Sequence, residues 1–309
     1  MPGLSLIVNP AAGRGRALQF LPLAADALEV ADADYEVSRS ASLQHAAQLA
    51  GEAAAAGRVV VAVGGDGMAG ALAGAACRHG CRYGIIPAGR GNDMARVLGI
   101  PADPAAAARL LVEGRTRQID LIGVSVPGAP AAIVAGSVYL GVPSVAGEIA
   151  NGTRWLHGPA VYTLAALRAV ARWRPATFGL LGAGEPINFP GYAVVAANSA
   201  YFGAGMMVAP AAQIDDGELD LVLMRHGPKV AFVRALTKIK DGSHIALEQV
   251  SVQRCTEVTI TSDRAIPVAA DGETLPFAAP LPAGTPLRVR ALPAALTVIA
   301  PPPTGEPAT

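Results

Sequence analysis

The first third of the chain alternates between short runs of apolar residues and longer segments in which apolar residues recur at helical spacing. Strands and helices in alternation predict a mostly parallel sheet covered by helices on both faces, which is a three-layer α/β domain. The predicted strands are residues 4–8, 33–37, 59–63 and 83–87, and the predicted helices are residues 13–28, 41–56, 68–77 and 103–113.

After residue 122 the pattern changes to short β-like runs separated by Gly and Pro, with two segments at helical spacing. Many short strands without alternating helices predict an antiparallel, β-sandwich-like domain. The predicted strands are residues 131–140, 192–197, 218–223, 257–261, 287–290 and 296–300, and the predicted helices are residues 162–173 and 230–239.

This change of pattern divides the 309 residues into two domains, and a typical size of roughly 150 residues per domain agrees with the division. We expect an α/β domain over residues 1–122 and a β-rich domain over residues 123–290. The C-terminal residues 291–309 are expected to pack back on the first domain.

Charged residues are scarce and balanced. They make up 16% of the chain, against about 25% in an average domain, and 24 basic residues offset 24 acidic ones. A protein that neutralises nucleic-acid phosphates would carry a basic excess, so the composition argues against a nucleic-acid partner. Three cysteines, and an N-terminus without a basic leader, predict a reducing, cytoplasmic location.

Two stretches, residues 121–147 and 186–214, contain no Asp, Glu, Lys or Arg and are long enough to cross a membrane. Both contain several Pro and Gly residues, which is unusual for a membrane-spanning helix and common in strands and turns. We therefore expect strands and turns of a sheet there, and no transmembrane segment.

Three turns in the first domain share one design, in which an apolar strand leads into Gly and small polar residues and a helix follows. They are residues 8–15 (VNPAAGRG), 64–68 (GGDGM) and 87–93 (PAGRGND). Such turns leave backbone N–H groups free at the start of a helix, where they can surround phosphate. Any one of them could be an ordinary turn, and the first lacks the third glycine of a dinucleotide fingerprint. Three turns at the carboxyl ends of strands favour phosphate binding.

The order of motifs along nearly the whole chain resembles the diacylglycerol kinase catalytic family. That family includes bacterial lipid kinases and the sphingosine and ceramide kinases, with NAD kinases and phosphofructokinases as distant relatives. The resemblance implies the two-domain fold of the NAD kinases and diacylglycerol kinases. The motifs are VNPAAGRG at 8–15, VAVGGDGM at 61–68, GIIPAGRGNDMAR at 84–96, QID at 118–120, NSAYFGAGMMVAPAAQIDDGELDLV at 198–222, KIKDGSH at 238–244 and VAADGE at 268–273.

The resemblance implies an ATP-dependent, Mg²⁺-requiring kinase that transfers the γ-phosphoryl group to a lipid hydroxyl, with diacylglycerol as the first expected acceptor and phosphatidic acid as the product. A sphingoid-base kinase or another lipid kinase is the alternative among enzymes. A non-catalytic nucleotide- or lipid-binding regulator is the alternative from another class. A lipid substrate implies reversible, peripheral association of a cytoplasmic protein with the membrane surface, and a homodimer is left open.

The resemblance places ATP against the three turns, together with Ser40, where a hydroxyl residue ends the second strand. Glycine lets the backbone approach a phosphate group because no Cβ atom intervenes. Asn9 and Asn92 are expected to tie the loops together by amide hydrogen bonds. The expected ATP-binding positions are Asn9, Pro10, Ala11, Ala12, Gly13, Ser40, Gly64, Gly65, Asp66, Gly67, Met68, Arg90 and Asn92.

Asp66 brings a negative charge to residues that are expected to hold phosphate. Because two anions repel, its carboxylate would act through Mg²⁺ or accept a proton. The alternative is that Asp66 caps the helix that follows it.

An acidic turn, residues 215–220 (DDGELD), lies in the second domain. On its residues alone it could be a polar turn before a strand. The resemblance implies a structural Mg²⁺ site, with the side chain of Asp216 as a ligand and contributions from the positions of Gln213 and Glu218 through carbonyl oxygens. One carboxylate with additional oxygen ligands suits a Mg²⁺ ion that retains water.

Another acidic turn, residues 271–273 (DGE), follows an apolar run and would be unremarkable as a turn. The resemblance implies that its carboxylates belong to the catalytic site, with Asp271 beside Glu273. Glu273 would be the general base for the substrate hydroxyl, and Asp66 is the alternative base.

The chain departs from the family pattern at Met68 and Arg90, where most relatives have Thr. Met68 removes a hydroxyl that could contact phosphate, and Arg90 adds a cation that could compensate through a charge-assisted hydrogen bond. Residues 139–146 (YLGVPSVA) have Pro and Ser where relatives usually have an acidic residue. This last departure leaves the identity of the lipid undecided.

Two other groups of side chains have weaker claims to a role. Cys77, His79 and Cys81 are close in sequence, but a zinc site needs a fourth ligand. The basic residues of two predicted helices form either a solvated face or an approach to anionic lipid headgroups. They are Arg168, Arg172, Arg174, Lys229, Arg234, Lys238 and Lys240.

Overall fold

The computed structural model describes residues 2–152, 159–203, 205–275, 277 and 280–302. The chain forms two compact units. Unit 1 contains Met1–Leu121, Gly203–Gly205 and Pro293–Thr309, and unit 2 contains Ile122–Phe202 and Met206–Leu292.

Unit 1 begins with strands that alternate with helices. They are β1 (Leu4–Val8), α1 (Arg16–Val30), β2 (Tyr35–Arg39), α2 (Leu43–Ala55), β3 (Val59–Gly64), α3 (Asp66–His79), β4 (Tyr83–Pro87), α4 (Asp93–Val97) and α5 (Pro104–Glu113). The strands are parallel and lie in the order β2–β1–β3–β4. Every residue of β1, β3 and β4 is buried, as expected for central strands that helices cover on both faces.

The strands and helices predicted for this region are confirmed, with differences at some ends and one additional helix. Helix α1 begins at Arg16 rather than at residue 13, because Gly13 and Gly15 have φ values of 58° and 87°. Strand β2 begins at Tyr35 rather than at residue 33, because Asp32 has a φ of 51° and the N–H of Ala33 still bonds the carbonyl of Leu28 in α1 at 3.0 Å. The short helix α4 was not predicted, since five residues give too little periodicity to be read from sequence.

The elements of the remaining chain are mostly strands. They are β5 (Thr116–Ser125), β6 (Ala132–Val134), β7 (Ser137–Gly141), α6 (Val142–Gly152), α7 (Pro159–Arg172), β8 (Ala176–Leu181), β9 (Ile187–Ala197), β10 (Tyr201–Phe202), β11 (Met206–Met207), β12 (Leu219–Arg225), α8 (Lys229–Lys238), β13 (Val250–Cys255), β14 (Glu257–Ser262), β15 (Val268–Ala270), β16 (Glu273–Thr274) and β17 (Leu287–Ile299). Strand β5 leads from unit 1 into unit 2, and β17 leads back, with Val298 pairing with Tyr83 of β4.

Strand β9 pairs with three other strands in the antiparallel sheet of unit 2. Its first half pairs with β8, and its second half pairs with β7 and with β12. The rings of Phe178 and Phe189 are 5.8 Å apart in the core, and the indole N–H of Trp173 donates to the carbonyl of Gly191 at 3.1 Å. The predicted α/β domain and β-sandwich-like domain are therefore both present.

We predicted only strands and turns for the uncharged stretch 121–147. This prediction is wrong in part, because helix α6 begins at Val142. Gly141 ends strand β7 with a φ of 99°, and a side chain there would clash, since a Cβ atom would lie 2.2 Å from the carbonyl oxygen of Tyr192. Pro143 then falls in the first turn of a helix, where proline is tolerated. Among the described residues, no helix combines the length and apolar character needed to cross a membrane.

The last strand also differs from its prediction. Residues 287–290 and 296–300 were predicted as separate strands, but β17 runs continuously through Pro293. Ala294 has a φ of 50°, and its N–H donates to a carboxylate oxygen of Asp120 at 2.7 Å. This bond holds the irregular part of the strand.

Candidate functional site

Three glycine-rich loops lie side by side in unit 1, at the carboxyl ends of β1, β3 and β4. We call them loop 1 (residues 9–15), loop 2 (residues 64–67) and loop 3 (residues 88–92). The strands end at one level, because Val8 pairs with Val63, and Gly64 pairs with Pro87. The parallel order of the strands therefore brings together the loops that were predicted to bind phosphate.

The loops touch through backbone atoms, which explains why glycine occupies their contact positions. A Cβ atom on Gly89 would lie 2.4 Å from the Cα of Gly65, and one on Gly13 would lie 2.3 Å from the carbonyl oxygen of Ala88. Gly13 also has a φ of 58°. The N–H of Ala88 donates to the carbonyl of Gly64 at 2.7 Å, which fixes loop 3 beside loop 2.

The carboxylate of Asp66 joins loop 2 to loop 3. It accepts the backbone N–H of Asn92 at 2.9 Å through Oδ2 and that of Asp93 at 2.5 Å through Oδ1. Asp66 is the first residue of α3, and the residue at the cap position is Gly65. The alternative that Asp66 caps its own helix is therefore wrong, because its side chain bonds the start of α4 instead.

The side-chain amides of the two asparagines do not link the loops, contrary to expectation. Oδ1 of Asn9 accepts the N–H of Ala11 at 3.0 Å, and the amide of Asn92 bonds the N–H and the carbonyl of Gly89 at 2.8 and 3.4 Å. Each asparagine thus shapes its own loop. A link that the sequence did not reveal comes from Arg16, whose Nη1 donates to the carbonyl of Gly89 at 3.2 Å.

The other predicted ATP-binding positions lie in or beside these loops. Ser40 is buried, and its hydroxyl donates to the carbonyl of Val8 at 3.2 Å, directly before loop 1. Met68 is also buried, and its Cβ fills the space that a side chain on Gly64 would need. Arg90, in contrast, is exposed on loop 3. The remaining positions are Pro10, Ala11 and Ala12 in loop 1 and Gly67 in the first turn of α3.

In unit 2, Asp271 and Gly272 form a two-residue hairpin turn between β15 and β16. Their φ values are 48° and 89°, which is the conformation of a type I′ turn and explains the Asp-Gly pair. The carboxylate of Asp271 accepts three successive backbone N–H groups, those of Ala135, Gly136 and Ser137, at 2.9, 3.0 and 2.9 Å. This geometry anchors the turn to the start of β7.

Glu273 follows this anchored turn and pairs with Ala270 across the hairpin. The N–H of Gly272 donates to the phenol oxygen of Tyr139 at 3.2 Å, which adds a second anchor. The side chain of Glu273 has access to solvent, but surrounding protein atoms desolvate its carboxyl group and raise its pKa above the ordinary value. A carboxylate with a raised pKa on a fixed turn can accept a proton from a bound hydroxyl.

The acidic turn before β12 is bonded to an arginine. Oδ1 of Asp216 accepts the N–H of Glu218 at 3.0 Å, and the other oxygen is bonded to Nη2 of Arg254. The same nitrogen lies 2.9 Å from Oε2 of Glu218. Gln213 is exposed. Within the described part of the chain, no three His, Cys, Asp or Glu side chains are grouped so that they could hold a metal ion.

Comparison with known proteins gives one consistent family. Residues 3–124 match the model of the diacylglycerol kinase catalytic domain, and residues 136–300 match the YegS C-terminal NAD kinase beta sandwich-like domain. The chain is 32% identical to a diacylglycerol kinase of Mycobacterium tuberculosis (strain ATCC 25618 / H37Rv) over 96% of this chain and 95% of the relative. It is 27% identical to a diacylglycerol kinase of Bacillus subtilis (strain 168), over 87% and 88% of the two chains.

A solved structure has the same fold. A putative diacylglycerol kinase from Bacillus anthracis str. Sterne superposes with a TM-score of 0.77 at 21% identity, covering 97% of this chain and 95% of that one. This similarity establishes the two-domain architecture.

Proposed function

Since the chain belongs to the diacylglycerol kinase family of lipid kinases, we propose that it transfers the γ-phosphoryl group of ATP to the hydroxyl of diacylglycerol and forms phosphatidic acid. The observation that carries this proposal is the junction of the three loops in unit 1. Glycine backbone at all three loops leaves room for phosphate oxygens beside N–H donors. The Asp66 carboxylate keeps loops 2 and 3 together.

Phosphoryl transfer requires the protein mainly to position the reactants and to neutralise charge. Mg²⁺ bound with ATP would supply charge neutralisation on the phosphates. Asp66 is the residue that would hold it, because two backbone N–H bonds leave free lone pairs on a carboxylate that can accept about four bonds. The loop backbone binds and orients the phosphates, and this task depends on the glycines rather than on the metal.

Glu273 is the proposed base in this reaction. Its carboxylate would take the proton from the attacking lipid hydroxyl as the oxygen bonds to phosphorus. Asp271 has a positioning role in this proposal, since both of its carboxylate oxygens bond backbone N–H groups and hold the turn that carries Glu273.

The proposed reaction takes place at the membrane surface, because the acceptor is a membrane lipid. The basic residues that were predicted on two helices are exposed on and beside α7 and α8, where they are suited to anionic headgroups. They are Arg168, Arg172, Arg174, Lys229, Arg234, Lys238 and Lys240.

A panel of acceptors tests the substrate assignment. Diacylglycerol, sphingosine and ceramide are presented at equal mole fraction in mixed micelles with labelled ATP, and glycerol serves as a soluble alcohol. We expect diacylglycerol to receive phosphate at the highest kcat/KM. A preference for sphingosine or ceramide would show that the lipid is wrong. ATP binding without transfer to any of the alcohols would favour the non-catalytic regulator.

Replacing Arg90 with Ala should weaken ATP binding by roughly ten-fold, which is the effect of losing one hydrogen bond to a charged group. Arg90 is exposed on loop 3, directly after β4, so its side chain is free to reach a bound phosphate. ATP affinity is measured by calorimetric titration. The matched control is Arg82→Ala, because Arg82 is also exposed but directly precedes the opposite end of β4. If Arg90→Ala binds ATP as tightly as Arg82→Ala does, Arg90 has no role in ATP binding.

A further inference from the structure

Arg254 occupies the acidic turn at the position where the family resemblance leads one to expect a metal ion. Its guanidinium contacts Asp216, the side chain that would otherwise bind that ion, and also the carboxylate of Glu218. We propose that Arg254 replaces the structural divalent cation in this chain. The acidic turn is then held by an internal ion pair, and unit 2 folds without Mg²⁺.

The pairing of β12 with β13 places Arg254 beside the acidic turn. Strands β12 and β13 are antiparallel, and Arg254 lies directly opposite Asp220 in the register. Side chains on directly opposite residues share one face of a sheet, so Arg254 extends over the start of β12. The turn that contains Asp216 and Glu218 immediately precedes that start. Through the backbone pairing of two strands, Arg254 therefore reaches Asp216, which is 38 positions away in sequence, as well as Glu218.

The guanidinium bonded to Asp216 disfavours a divalent cation at the same carboxylate. One carboxylate oxygen accepts the N–H of Glu218, and the other bonds the guanidinium. A second cation at this carboxylate would lie within a few ångströms of the first and would be repelled by it. Mg²⁺ also demands near-octahedral geometry with oxygen ligands, which an oxygen already shared with arginine does not favour.

Arginine suits the role of a fixed counter-ion. Its planar guanidinium offers several N–H donors at once, so it can bond two carboxylates in a defined geometry and cannot lose its charge at neutral pH. The Asp216 side chain is only 18% exposed, so water screens this pair less than a fully solvated one. Arg254 thus supplies one fixed positive charge to these two carboxylates from within the protein itself.

Thermal unfolding of the full chain, without nucleotide or lipid, tests the proposal. The wild type should unfold at the same temperature in Mg²⁺ and in EDTA. Arg254→Met should unfold roughly 2 to 4 °C lower in EDTA, and added Mg²⁺ should restore the loss. The control is Arg288→Met, because Arg288 is also an exposed strand arginine that pairs with one carboxylate, Glu257, at 3.3 Å. That variant should not respond to Mg²⁺.

Calorimetric titration with Mn²⁺ gives an independent measurement. We expect no nucleotide-independent Mn²⁺ site in the wild type or in Arg254→Lys, which retains the positive charge and covers the case in which Arg254→Met does not fold. Arg254→Met should gain one site that the additional substitution Asp216→Asn removes. The proposal is overturned if the wild type binds Mn²⁺ through Asp216, if EDTA destabilises the wild type, or if Arg254→Met responds to the metal no more than Arg288→Met. Neither measurement depends on ATP or lipid, so the outcome is separate from that of the proposed activity.

Discussion

Replacing Asp66 with Asn should reduce phosphoryl transfer by about a hundred-fold or more, the usual cost of removing a group that stabilises charge in the transition state. The carboxylate accepts two backbone N–H groups of loop 3, at 2.9 and 2.5 Å. An asparagine has only one acceptor oxygen, so its NH₂ group would face one of those N–H donors. The variant therefore loses one of the two bonds between the loops, together with the negative charge that would hold Mg²⁺.

The effect of Asp66→Asn is measured as kcat with saturating ATP and lipid, together with the midpoint of thermal unfolding. Asp103→Asn is the matched control, since Asp103 also accepts a backbone N–H at the start of a helix, that of Ala106 at 2.7 Å, and α5 does not carry a glycine-rich loop. We expect both variants to fold and only Asp66→Asn to lose activity. A kcat within a few-fold of wild type in Asp66→Asn would exclude Asp66 from the reaction.

Glu273→Gln should lower kcat/KM by about a hundred-fold to ten-thousand-fold, the range that general base catalysis contributes. Glutamine keeps the shape of the side chain but cannot accept the proton of the substrate hydroxyl. In the wild type the base must be deprotonated, and desolvation raises the pKa of Glu273. Activity should therefore fall as the pH is lowered through this raised pKa, at a higher pH than for an ordinary glutamate.

The pH dependence of kcat/KM separates this role from a structural one. We expect the acidic decline to be present in the wild type and in Glu185→Gln, a control at an exposed loop position of unit 2. The decline should be absent from the residual activity of Glu273→Gln. Undiminished transfer by Glu273→Gln would rule out Glu273 as the base and leave Asp66 as the alternative.

Local sequence was sufficient to predict strands β1, β3 and β4 of unit 1 and the loops that follow them. Strand β3 is a continuous apolar run that ends in glycine, and β1 is apolar at every position except Ser5. A parallel sheet places the carboxyl ends of its strands at one edge. The hairpin at Asp271 and Gly272 follows from the same kind of local signal, since this dipeptide favours a type I′ turn. Such features depend on residues that are neighbours along the chain.

Features that depend on tertiary contacts could not be predicted in this way. The partners of Asp66 are backbone groups 26 and 27 positions away, and nothing in the sequence around either segment indicates the bond. Helix α6 was missed because Val142, Val145 and Ile149 suit a strand equally well, and the end of β7 is fixed by the close approach of Gly141 to Tyr192. Arg254 was missed because only the register of β12 and β13 places it on the acidic turn.

The central claim is that this chain moves the terminal phosphoryl group of ATP onto a lipid hydroxyl, and the position of the label in ATP tests it most directly. Purified protein is incubated with Mg²⁺ and diacylglycerol in mixed micelles, in parallel with γ-labelled and α-labelled ATP, and the lipid fraction is analysed. We predict labelled phosphatidic acid from γ-labelled ATP and an unlabelled lipid fraction from α-labelled ATP. Unlabelled lipid in both reactions, from protein that still binds ATP, would contradict the claim.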